Sequence, residues 1–352
     1  MNKLNFCCIF GGASSEHEVS LCSAYGVISN TNKEKYNIIT LGITKQGEWF
    51  LYTGEKENIK DGSWEKDTAN KYPAFLIPDS TLCVIKPEGN EYIKIDALFP
   101  VVHGAYCEDG RLQGLLDMYG VKYVGPGCAS SAVCMDKAFT KQVLTSHGIP
   151  QANAVVITRD DLSEDLSALP ENIGRALGYP VFVKPANAGS SVGVSKVSAE
   201  NELIPALEKA LAEDAKALIE EFIDGREVEI AVMGKGRDAI TSTTGEIDPG
   251  AEFYDYETKY KTDTASYHIP ARITEEQEAD LREYAKTIYT VLSCKGLSRI
   301  DFFVCADGRI IFNEINTLPG FTPISMFPKL FGHVGISYSE LIDRLIGFAL
   351  ED

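Results

Sequence analysis

Apolar runs separated by amphipathic stretches fill the first third of the chain. The runs are short, and the first of them ends at Gly11 and Gly12. Strand, helix and strand in this succession are typical of a parallel sheet covered on both faces. The predicted elements are a strand over residues 4–10, a helix over about 15–29, strands over 36–43 and 95–102, and a helix over 111–118.

The pattern changes beyond a cluster of glycine and proline at residues 124–127, which predicts a break between domains. Short β runs then alternate with helices, and a later helix opens with a capping box formed by Thr274 and Gln277. A chain of 352 residues is too long for one ordinary core. We therefore predict three lobes: an N-terminal α/β domain over 1–124, a central α+β lobe over 125–223 and a C-terminal lobe over 224–352.

Composition narrows the class of protein. Apolar residues make up 44% and charged residues 24% of the chain, which is the balance of a folded protein. No apolar run approaches the roughly 20 residues that cross a bilayer, and the N-terminus shows no signal-peptide pattern. Nine scattered cysteines indicate reduced thiols in a cytoplasm rather than disulfides or a zinc site. The net charge of −18 argues against nucleic acid as a partner.

The segment over residues 299–316 predicts a β-hairpin that carries two carboxylates. Asp307-Gly308 stands between two β runs and signals a two-residue turn. Side chains alternate along a strand, so facing positions that share parity lie on one face. The predicted facing pairs are Arg299 with Asn316, Asp301 with Glu314, and Phe303 with Phe312.

Two interpretations of this hairpin stay open. Asp301 and Glu314 would lie about 5 Å apart and repel each other, and a divalent cation bound by both removes the repulsion. Oxygen ligands of this kind suit Mg²⁺. In the alternative, Arg299 neutralises both carboxylates in a structural ion-pair cluster. Asn316 favours the metal, because a salt bridge does not need a neutral oxygen ligand.

A lysine and a loop of small residues predict a phosphate site. A β run ends at Lys184, and the loop over residues 189–193 follows, with Ser190 and Ser191. Such residues let backbone N–H groups approach a phosphate, and the lysine adds a positive charge. The Walker pattern is absent, which excludes a P-loop fold. An ordinary glycine hairpin is the alternative, but Lys137, near a predicted helix start, supplies a second candidate phosphate ligand.

Two further segments carry carboxylates suited to a nucleoside and an amine. The run over residues 217–223 contains Glu220 and Glu221, and Glu227 follows its turn. A carboxylate holds ribose hydroxyls well, and backbone groups beside apolar side chains hold an adenine; an acidic strand end at the surface is the alternative. Glu16 lies in the first turn of a helix, where the helix dipole favours it. Its functional role would be to hold a cationic amine.

Taken together, these motifs resemble the D-alanine–D-alanine ligase family of the ATP-grasp superfamily. The resemblance covers nearly the whole chain, and its motifs occur in order. They are GGASSEHEVSL at 11–21, HGAYCEDGRLQGLL at 103–116, MDK at 135–137, VKPANAGSSVGVSKV at 183–197, LIEEFIDGREVE at 218–229, FYDYETKY at 253–260, SRID at 298–301 and NEINTLPGFTPISMFP at 313–328.

The resemblance implies a three-lobe ATP-grasp fold, α/β and α+β, with an N-terminal parallel-sheet domain. It implies that ATP lies between the central and C-terminal lobes, and that Asp301, Glu314 and Asn316 hold two Mg²⁺ ions, for which Mn²⁺ can substitute. The implied nucleotide ligands are Lys137, Lys184, Ser191 and Lys259 at the phosphates, Glu220, Glu221, Phe222 and Ile223 at the adenine, and Glu227 at the ribose.

The implied activity is ATP-dependent ligation of two D-alanines for peptidoglycan precursors. The first carboxylate attacks the γ-phosphate of ATP to give an acyl phosphate, and the second amine then displaces phosphate. A lid over residues 250–270 would protect the intermediate from water. The implied substrate residues are Glu16, Ser190 and Tyr260 around the first D-alanine, Arg299 and Gly320 at the oxyanion, and Ser325 and Met326 at the second D-alanine. His103 would lie nearby, and a hydrogen-bonded structural histidine is the alternative.

Family members differ in the second substrate, and some join D-alanine to D-serine or D-lactate. Lys259-Tyr260 is the pair typical of members that form the D-alanine dipeptide. The D-serine type tends to have an arginine where this chain has Met326, whose thioether offers little to a hydroxyl. Residues 47–56 resemble the D-serine branch, which stays the alternative ahead of D-lactate.

A non-catalytic nucleotide-binding relative is the alternative from another class. Such a protein should have lost a metal ligand or a phosphate lysine. Asp301, Glu314, Asn316, Lys137 and Lys184 are all present, which favours an enzyme. The family's habit also implies a homodimer.

Overall fold

Three β-sheets organise the part of the chain that the computed structural model describes, residues 3–248 and 266–351. In chain order the strands are β1 (Leu4–Gly11), β2 (Tyr36–Ile43), β3 (Trp49–Tyr52), β4 (Lys71–Ile77), β5 (Thr81–Lys86), β6 (Gly89–Lys94), β7 (Ala97–Val102), β8 (Ala154–Thr158), β9 (Val181–Pro185), β10 (Ser195–Val197), β11 (Lys216–Glu221), β12 (Gly225–Lys235), β13 (Ile240–Asp248), β14 (Ser266–His268), β15 (Lys295–Cys305) and β16 (Ile310–Asn316).

The α-helices pack on these sheets. They are α1 (His17–Asn30), α2 (Lys56–Lys60), α3 (Arg111–Met118), α4 (Cys128–Met135), α5 (Lys137–Thr145), α6 (Leu169–Ala176), α7 (Leu203–Glu213), α8 (Glu275–Val291), α9 (Met326–His333) and α10 (Tyr338–Leu350). Among the described residues, no helix combines the length and the apolar character that a membrane span requires.

The first sheet has seven strands in the order β6-β5-β4-β3-β2-β1-β7. β1 pairs in parallel with β2 and β7, as the sequence predicts, whereas β3 to β6 are antiparallel to their neighbours. The interval over residues 45–91 therefore extends the same sheet through β3 to β6. Its Trp64 is fully buried, with its ring centroid 5.1 Å from that of Phe10. This interval contributes to the core.

The other two sheets are antiparallel. The four-stranded sheet has the order β10-β9-β11-β8 and shares a core with α6 and α7, and the five-stranded sheet has the order β14-β13-β12-β15-β16. Helix α8 begins at the predicted capping box, in which Gln277 N–H donates to Thr274 Oγ1 and Thr274 N–H donates to Gln277 Oε1. Its buried residues Leu281, Ala285 and Ile288 pack on the five-stranded sheet.

One hydrophobic core joins the N-terminal sheet to the C-terminal helices. It contains side chains of β1, β7 and α1 together with side chains of α9 and α10. The ring of Phe99 in β7 meets the ring of Phe321 edge to face, with centroids 5.2 Å apart. The first and last thirds of the chain are therefore packed as one body, which the pattern of the sequence did not indicate.

The start of β15 lies directly against the glycine and proline cluster at residues 124–127. Gly296 has a φ of +72°, and a Cβ built on it would lie 2.7 Å from the backbone nitrogen of Gly125. A side chain here would collide with backbone, so only glycine allows this approach. The contact fixes where β15 enters the five-stranded sheet, three residues before Arg299.

The β15–β16 hairpin confirms the predicted register in the half far from the turn and corrects it in the half next to the turn. Arg299 pairs with Asn316 and Asp301 with Glu314, but the register then shifts by one residue. The prediction that Phe303 faces Phe312 is wrong, because Phe312 pairs with Phe302. The turn has three residues, with Cys305 N–H donating to the Arg309 carbonyl and Gly308 at a φ of +91°. A β-bulge before Glu314 compensates for the longer turn.

Candidate active site

Two adjoining cavities lie between the lobes. The larger cavity has a volume of about 630 Å³ and receives side chains from all three lobes, and the smaller cavity, of about 500 Å³, lies between the four-stranded and five-stranded sheets. Both volumes suit small-molecule ligands. Lys137, Ser190 and Glu314 line both cavities, so the two spaces meet at these residues.

The structure brings most of the predicted site residues to these cavities. Those at the larger cavity are Glu16, His103, Lys137, Ser190, Arg299, Glu314, Asn316, Gly320, Ser325 and Met326. Those at the smaller cavity are Lys137, Lys184, Ser190, Ser191, Glu220, Glu221, Phe222, Ile223, Glu227 and Glu314. The predicted Lys259, Tyr260 and most of the predicted lid lie outside the described residues.

Arg299 and the paired carboxylates occupy one face of the five-stranded sheet. The Arg299 guanidinium donates to both oxygens of Asp301, at 2.8 and 2.7 Å. The Asn316 amide donates to Asp301 Oδ2 at 3.0 Å, and Glu314 lies 3.5 Å from the Lys137 ammonium. Asp301 therefore forms the ion pair with Arg299 that the alternative interpretation of the sequence expects, whereas Glu314 lies near Lys137.

The donor set still fits a hard divalent cation. Asp301 and Glu314 are adjacent across the ladder, and Asn316 adds an amide oxygen on the same face. Carboxylate and amide oxygens are the ligands that Mg²⁺ prefers. Within residues 3–248 and 266–351, no three His, Cys, Asp or Glu side chains are grouped so as to hold a metal. Any cation here would therefore rely on two carboxylates, an amide and non-protein oxygens.

Arg299 is held by a second carboxylate that the sequence interpretation did not single out. Glu229 Oε2 lies 3.2 Å from Arg299 Nε. Burial by itself lowers the pKa of Arg299, but the charges of Asp301 and Glu229 raise it well above its usual value. The guanidinium is therefore a fixed positive charge at the wall of the larger cavity.

A buried charge triad lies at the wall of the smaller cavity. Glu220 is held between Lys184, at 2.5 Å, and Lys141, at 2.9 Å. Burial by itself raises the pKa of Glu220, but the two ammonium groups bring it below its ordinary value. Burial lowers the pKa of Lys141, and Lys184 adds to that effect. The sequence interpretation missed Lys141, although it lies one helical turn after Lys137 in α5.

The small-residue loop after β9 connects the central lobe to the N-terminal lobe. Ser190 and Ser191 have φ values of +51° and +58°, a conformation that residues other than glycine rarely adopt. The Ser190 hydroxyl donates to Glu16 Oε1 at 2.5 Å, and the Lys137 ammonium donates to the Ala188 carbonyl at 2.8 Å. The loop is therefore shaped by contacts with two of the predicted site residues.

The strand end after β11 forms another part of the smaller cavity. Glu221 Oε1 accepts the backbone and side-chain N–H groups of Asn153, at 2.7 and 3.0 Å. Phe222 is exposed, and its ring centroid lies 6.1 Å from that of Phe182. The Glu221 side chain is thus engaged by the protein, while the Phe222 ring offers an apolar surface.

Glu108 is a site residue that the sequence interpretation missed. Its two oxygens accept the backbone N–H groups of Gly104, at 2.8 Å, and Leu318, at 3.2 Å, so it ties the loop after β7 to the loop after β16. Burial of the carboxyl group, followed by the negative charge of Glu16, raises the pKa of Glu108 to about 8. The sequence signal was only its place within the motif at 103–116.

The pKa of Glu108 predicts a pH dependence of stability. A carboxyl with a pKa of about 8 in the folded state binds more protons there than in the unfolded state, whose pKa is 4.5. Its contribution to the free energy of unfolding therefore falls as pH rises from about 4.5 to 8. Urea unfolding across this range should show a flatter pH profile for Glu108→Gln than for the wild type. Glu340→Gln, at an exposed helix position, should keep the wild-type slope; an unchanged slope in Glu108→Gln would contradict the assignment.

Both ring nitrogens of His103 lie within hydrogen-bond distance of other protein groups. Nδ1 lies 2.9 Å from the Leu318 carbonyl and Nε2 lies 3.4 Å from Ser23 Oγ. Burial lowers the pKa of His103. Nearby, the Ser14 hydroxyl accepts the Glu16 N–H and donates to the His103 carbonyl, and it does not cap α1. These contacts match a hydrogen-bonded structural histidine at the cavity edge.

The loop before α9 brings Gly320 and Ser325 together. A Cβ built on Gly320 would lie 2.9 Å from Ser325 Oγ, and Ser325 Oγ accepts the Thr322 N–H at 3.0 Å. Met326 begins α9 and is buried, with its terminal methyl group next to Gly245 of β13. Met326 therefore presents a packed thioether to the larger cavity.

Comparison with known proteins identifies the family. Residues 5–126 match the family model described as D-ala D-ala ligase N-terminus, and residues 143–347 match the one described as D-ala D-ala ligase C-terminus. These two ranges cover most of the chain. The chain belongs to the D-Ala–D-Ala ligase family.

Individual relatives agree with this placement and with the ATP-grasp fold. A protein of Caldicellulosiruptor bescii named D-alanine–D-alanine ligase is 46% identical over 355 residues, which cover 100% of this chain and 96% of the relative. The structure of the VanG D-Ala:D-Ser ligase from Enterococcus faecalis matches with a TM-score of 0.90 and 40% identity, covering 99% of this chain and 100% of that one. The D-alanine–D-alanine ligase from Coxiella burnetii matches with a TM-score of 0.88 and 31% identity, covering 100% and 95%.

Proposed function

We propose that this chain is a D-alanine–D-alanine ligase, which joins two D-alanines at the expense of ATP for peptidoglycan precursor synthesis. The observation that carries the proposal is that the two cavities meet at Lys137, Ser190 and Glu314. A nucleotide in the smaller cavity would present its terminal phosphate to an amino acid in the larger one. Such an arrangement lets binding energy align a carboxylate oxygen with phosphorus.

The reaction has two bond-forming steps. A carboxylate oxygen of the first D-alanine attacks the γ-phosphorus, and the bond from that phosphorus to the oxygen of ADP breaks. The amine of the second D-alanine then attacks the acyl carbon, loses a proton, and the carbon–oxygen bond to phosphate breaks. The protein's task is to position the reactants and stabilise developing charge.

The smaller cavity supplies the nucleotide contacts in this proposal. Lys137 and Lys184 neutralise phosphate charge, and the backbone around Ser191 lies beside them. The wall over residues 220–223 faces the adenine, and Glu227 accepts hydrogen bonds from the ribose. The triad with Lys141 keeps Glu220 ionised, which makes it an acceptor for the adenine amino group.

Asp301, Glu314 and Asn316 would hold the divalent cation. When bound, Mg²⁺ withdraws charge from the phosphate oxygens in the transition state. We propose two such ions, as the family resemblance implies, with Mn²⁺ as a substitute. The adjacency of Asp301 and Glu314 across the ladder supports this role.

The larger cavity supplies the amino-acid contacts. Glu16, fixed by Ser190, faces the ammonium of the first D-alanine, and Tyr260 would complete this set. Arg299 and the Gly320 N–H would stabilise the oxyanion of the tetrahedral intermediate, and Lys259 the transferred phosphoryl group. Ser325 would hold the carboxylate of the second D-alanine.

D-serine as the second substrate is the alternative, and the likeness to the D-Ala:D-Ser ligase of Enterococcus faecalis favours it. The buried thioether of Met326 favours D-alanine, because it offers a serine hydroxyl little to bond with. We place D-alanine first on that ground. D-Lactate has no comparable support.

Phosphate release from Mg²⁺-ATP with D-alanine alone tests the proposed function, and mass analysis of products from equal D-alanine and D-serine tests the acceptor. We expect phosphate release and the alanyl-alanine dipeptide as the main product. A dominant alanyl-serine product would transfer the chain to the D-serine branch. ATP binding without turnover would refute a ligase and favour a nucleotide-binding module.

We further propose that the protein works as a homodimer in the cytoplasm, as the family resemblance implies. The chemistry supports the compartment, since ATP is the energy source. Light scattering of the purified protein at micromolar concentration would measure its mass. A value near the 38.5 kDa of one chain would contradict the dimer.

A further inference from the structure

Glu229 lies at the centre of the five-stranded sheet beside Arg299. It pairs in β12 with Asp301 of β15, which pairs with Glu314 of β16, so three carboxylates form a row across three strands. Glu229 is 3% exposed, and its Oε2 lies 3.2 Å from Arg299 Nε. The roles proposed above make no use of this buried acid.

The proposed function makes two demands on the neighbouring pair. Asp301 has to bind a cation, and Arg299 has to lie at the reacting carbonyl. Yet both Asp301 oxygens accept N–H groups of Arg299, at 2.8 and 2.7 Å. A cation that engages Asp301 draws it away from the guanidinium, and a buried guanidinium without a counterion is strongly unfavourable.

We propose that Glu229 is a positioning residue for Arg299, which keeps the guanidinium in place while Asp301 binds a divalent cation. The inference rests on the proposed function, from which it takes the cation site and the role of Arg299. Glu229 provides a second carboxylate within ion-pair distance, on the central strand of the sheet. Arg299 can therefore exchange one counterion for the other with little movement.

The charges of the cluster support this arrangement. Arg299 and Lys137 bring two positive charges, and Glu229, Asp301 and Glu314 bring three negative ones, so the cluster carries one net negative charge. Without Glu229, a dication that engages Asp301 would leave the Arg299 guanidinium with no carboxylate partner in this cluster.

Mn²⁺ binding to the full chain, measured by electron paramagnetic resonance with and without ADP, tests the proposal without relying on turnover. We expect Glu229→Gln to weaken Mn²⁺ binding by about 10–100-fold, the usual range for losing an outer-shell partner of a metal site, because Arg299 would then compete with the cation for Asp301. The matched control is Glu278→Gln. Glu278 pairs with Arg282 in α8. This helix packs against Val228 and Ile230 of β12, on the face of the sheet opposite to Glu229.

An Arg299→Gln background separates positioning from other roles. If Glu229 acts through Arg299, adding Glu229→Gln in this background should change Mn²⁺ affinity by no more than about twofold, since the two residues then act as one unit. Equal weakening in both backgrounds would mean that Glu229 binds the metal or acts as a general charge. Either finding would overturn the proposal, as would an unchanged affinity in Glu229→Gln alone.

Folding of the variants is decided in the same series. If Glu229→Gln alone does not fold, a folded Arg299→Gln/Glu229→Gln double variant would trace the failure to the uncompensated guanidinium and support the pairing. Failure of the double variant as well would show a different structural need for Glu229 and overturn the proposal. If the wild type formed no dipeptide, the proposed function would be refuted. The Mn²⁺ measurements do not depend on dipeptide formation, so they test the role of Glu229 separately.

Discussion

The Asp301→Asn/Glu314→Gln double variant is expected to lose at least about a thousandfold in turnover. Both changes keep the size of the side chain and remove the charge that attracts a cation. A bound cation supplies several kcal/mol of charge stabilisation to phosphoryl transfer, and about 1.4 kcal/mol corresponds to tenfold in rate. Phosphate release from ATP in the presence of D-alanine measures the loss.

Asp307→Asn is the control for this experiment. Asp307 lies in the exposed turn of the same hairpin, where it pairs with Arg309, and its replacement should leave turnover unchanged. If the double variant kept turnover within about tenfold of the wild type while losing stability, the carboxylates would be the ion-pair cluster of the alternative interpretation, and the cation site would have to lie elsewhere.

Glu220→Gln is expected to lower the free energy of unfolding by about 3–5 kcal/mol, the usual cost of removing one partner from a buried ion pair. The change leaves Lys184 and Lys141, whose side chains are 11% and 12% exposed, close together with no carboxylate between them. Each ammonium then disfavours the other, and the KM for ATP should rise because the wall of the smaller cavity is disturbed. Urea unfolding measures the stability and steady-state kinetics the KM.

Glu171→Gln provides the comparison. Glu171 pairs with Arg175 one turn along α6, and both side chains are exposed, so the expected change is about 0.5 kcal/mol or less. A loss below about 1 kcal/mol in Glu220→Gln would indicate that the two lysines find other partners. The triad would then contribute little to the fold.

Local sequence signals were sufficient to predict which charged residues face each other within the β15–β16 hairpin. The Asp-Gly turn and the period of two placed Arg299, Asp301, Glu314 and Asn316 on one face, and the structure confirms their pairing. The predicted pairing next to the turn was wrong because the turn has three residues instead of two, which shifts the facing pairs by one position. The bulge before Glu314 then restores the predicted pairing farther from the turn. Turn signals alone do not distinguish these cases.

The residues that the sequence did not reveal owe their roles to distant partners. The Glu108 carboxylate accepts the backbone N–H of Leu318, and Lys141 in α5 contacts Glu220 in β11. Glu229 follows the predicted Glu227 by two positions and shares its face of β12, so period two could have drawn attention to it. Its contact with Arg299 depends on which strands are neighbours, which a single strand does not reveal.

The apolar core shared by the N-terminal sheet and the C-terminal helices holds these elements together, and the four-stranded sheet lies outside it. The four-stranded sheet keeps a core of its own, and its contacts with the rest include polar ones, such as Ser190 with Glu16 and Lys216 with Asp136. Polar groups can exchange such partners for water at small net cost, whereas separating an apolar core exposes its whole surface. Separating the four-stranded sheet from Glu16 would therefore cost less free energy than separating the N-terminal sheet from α9 and α10.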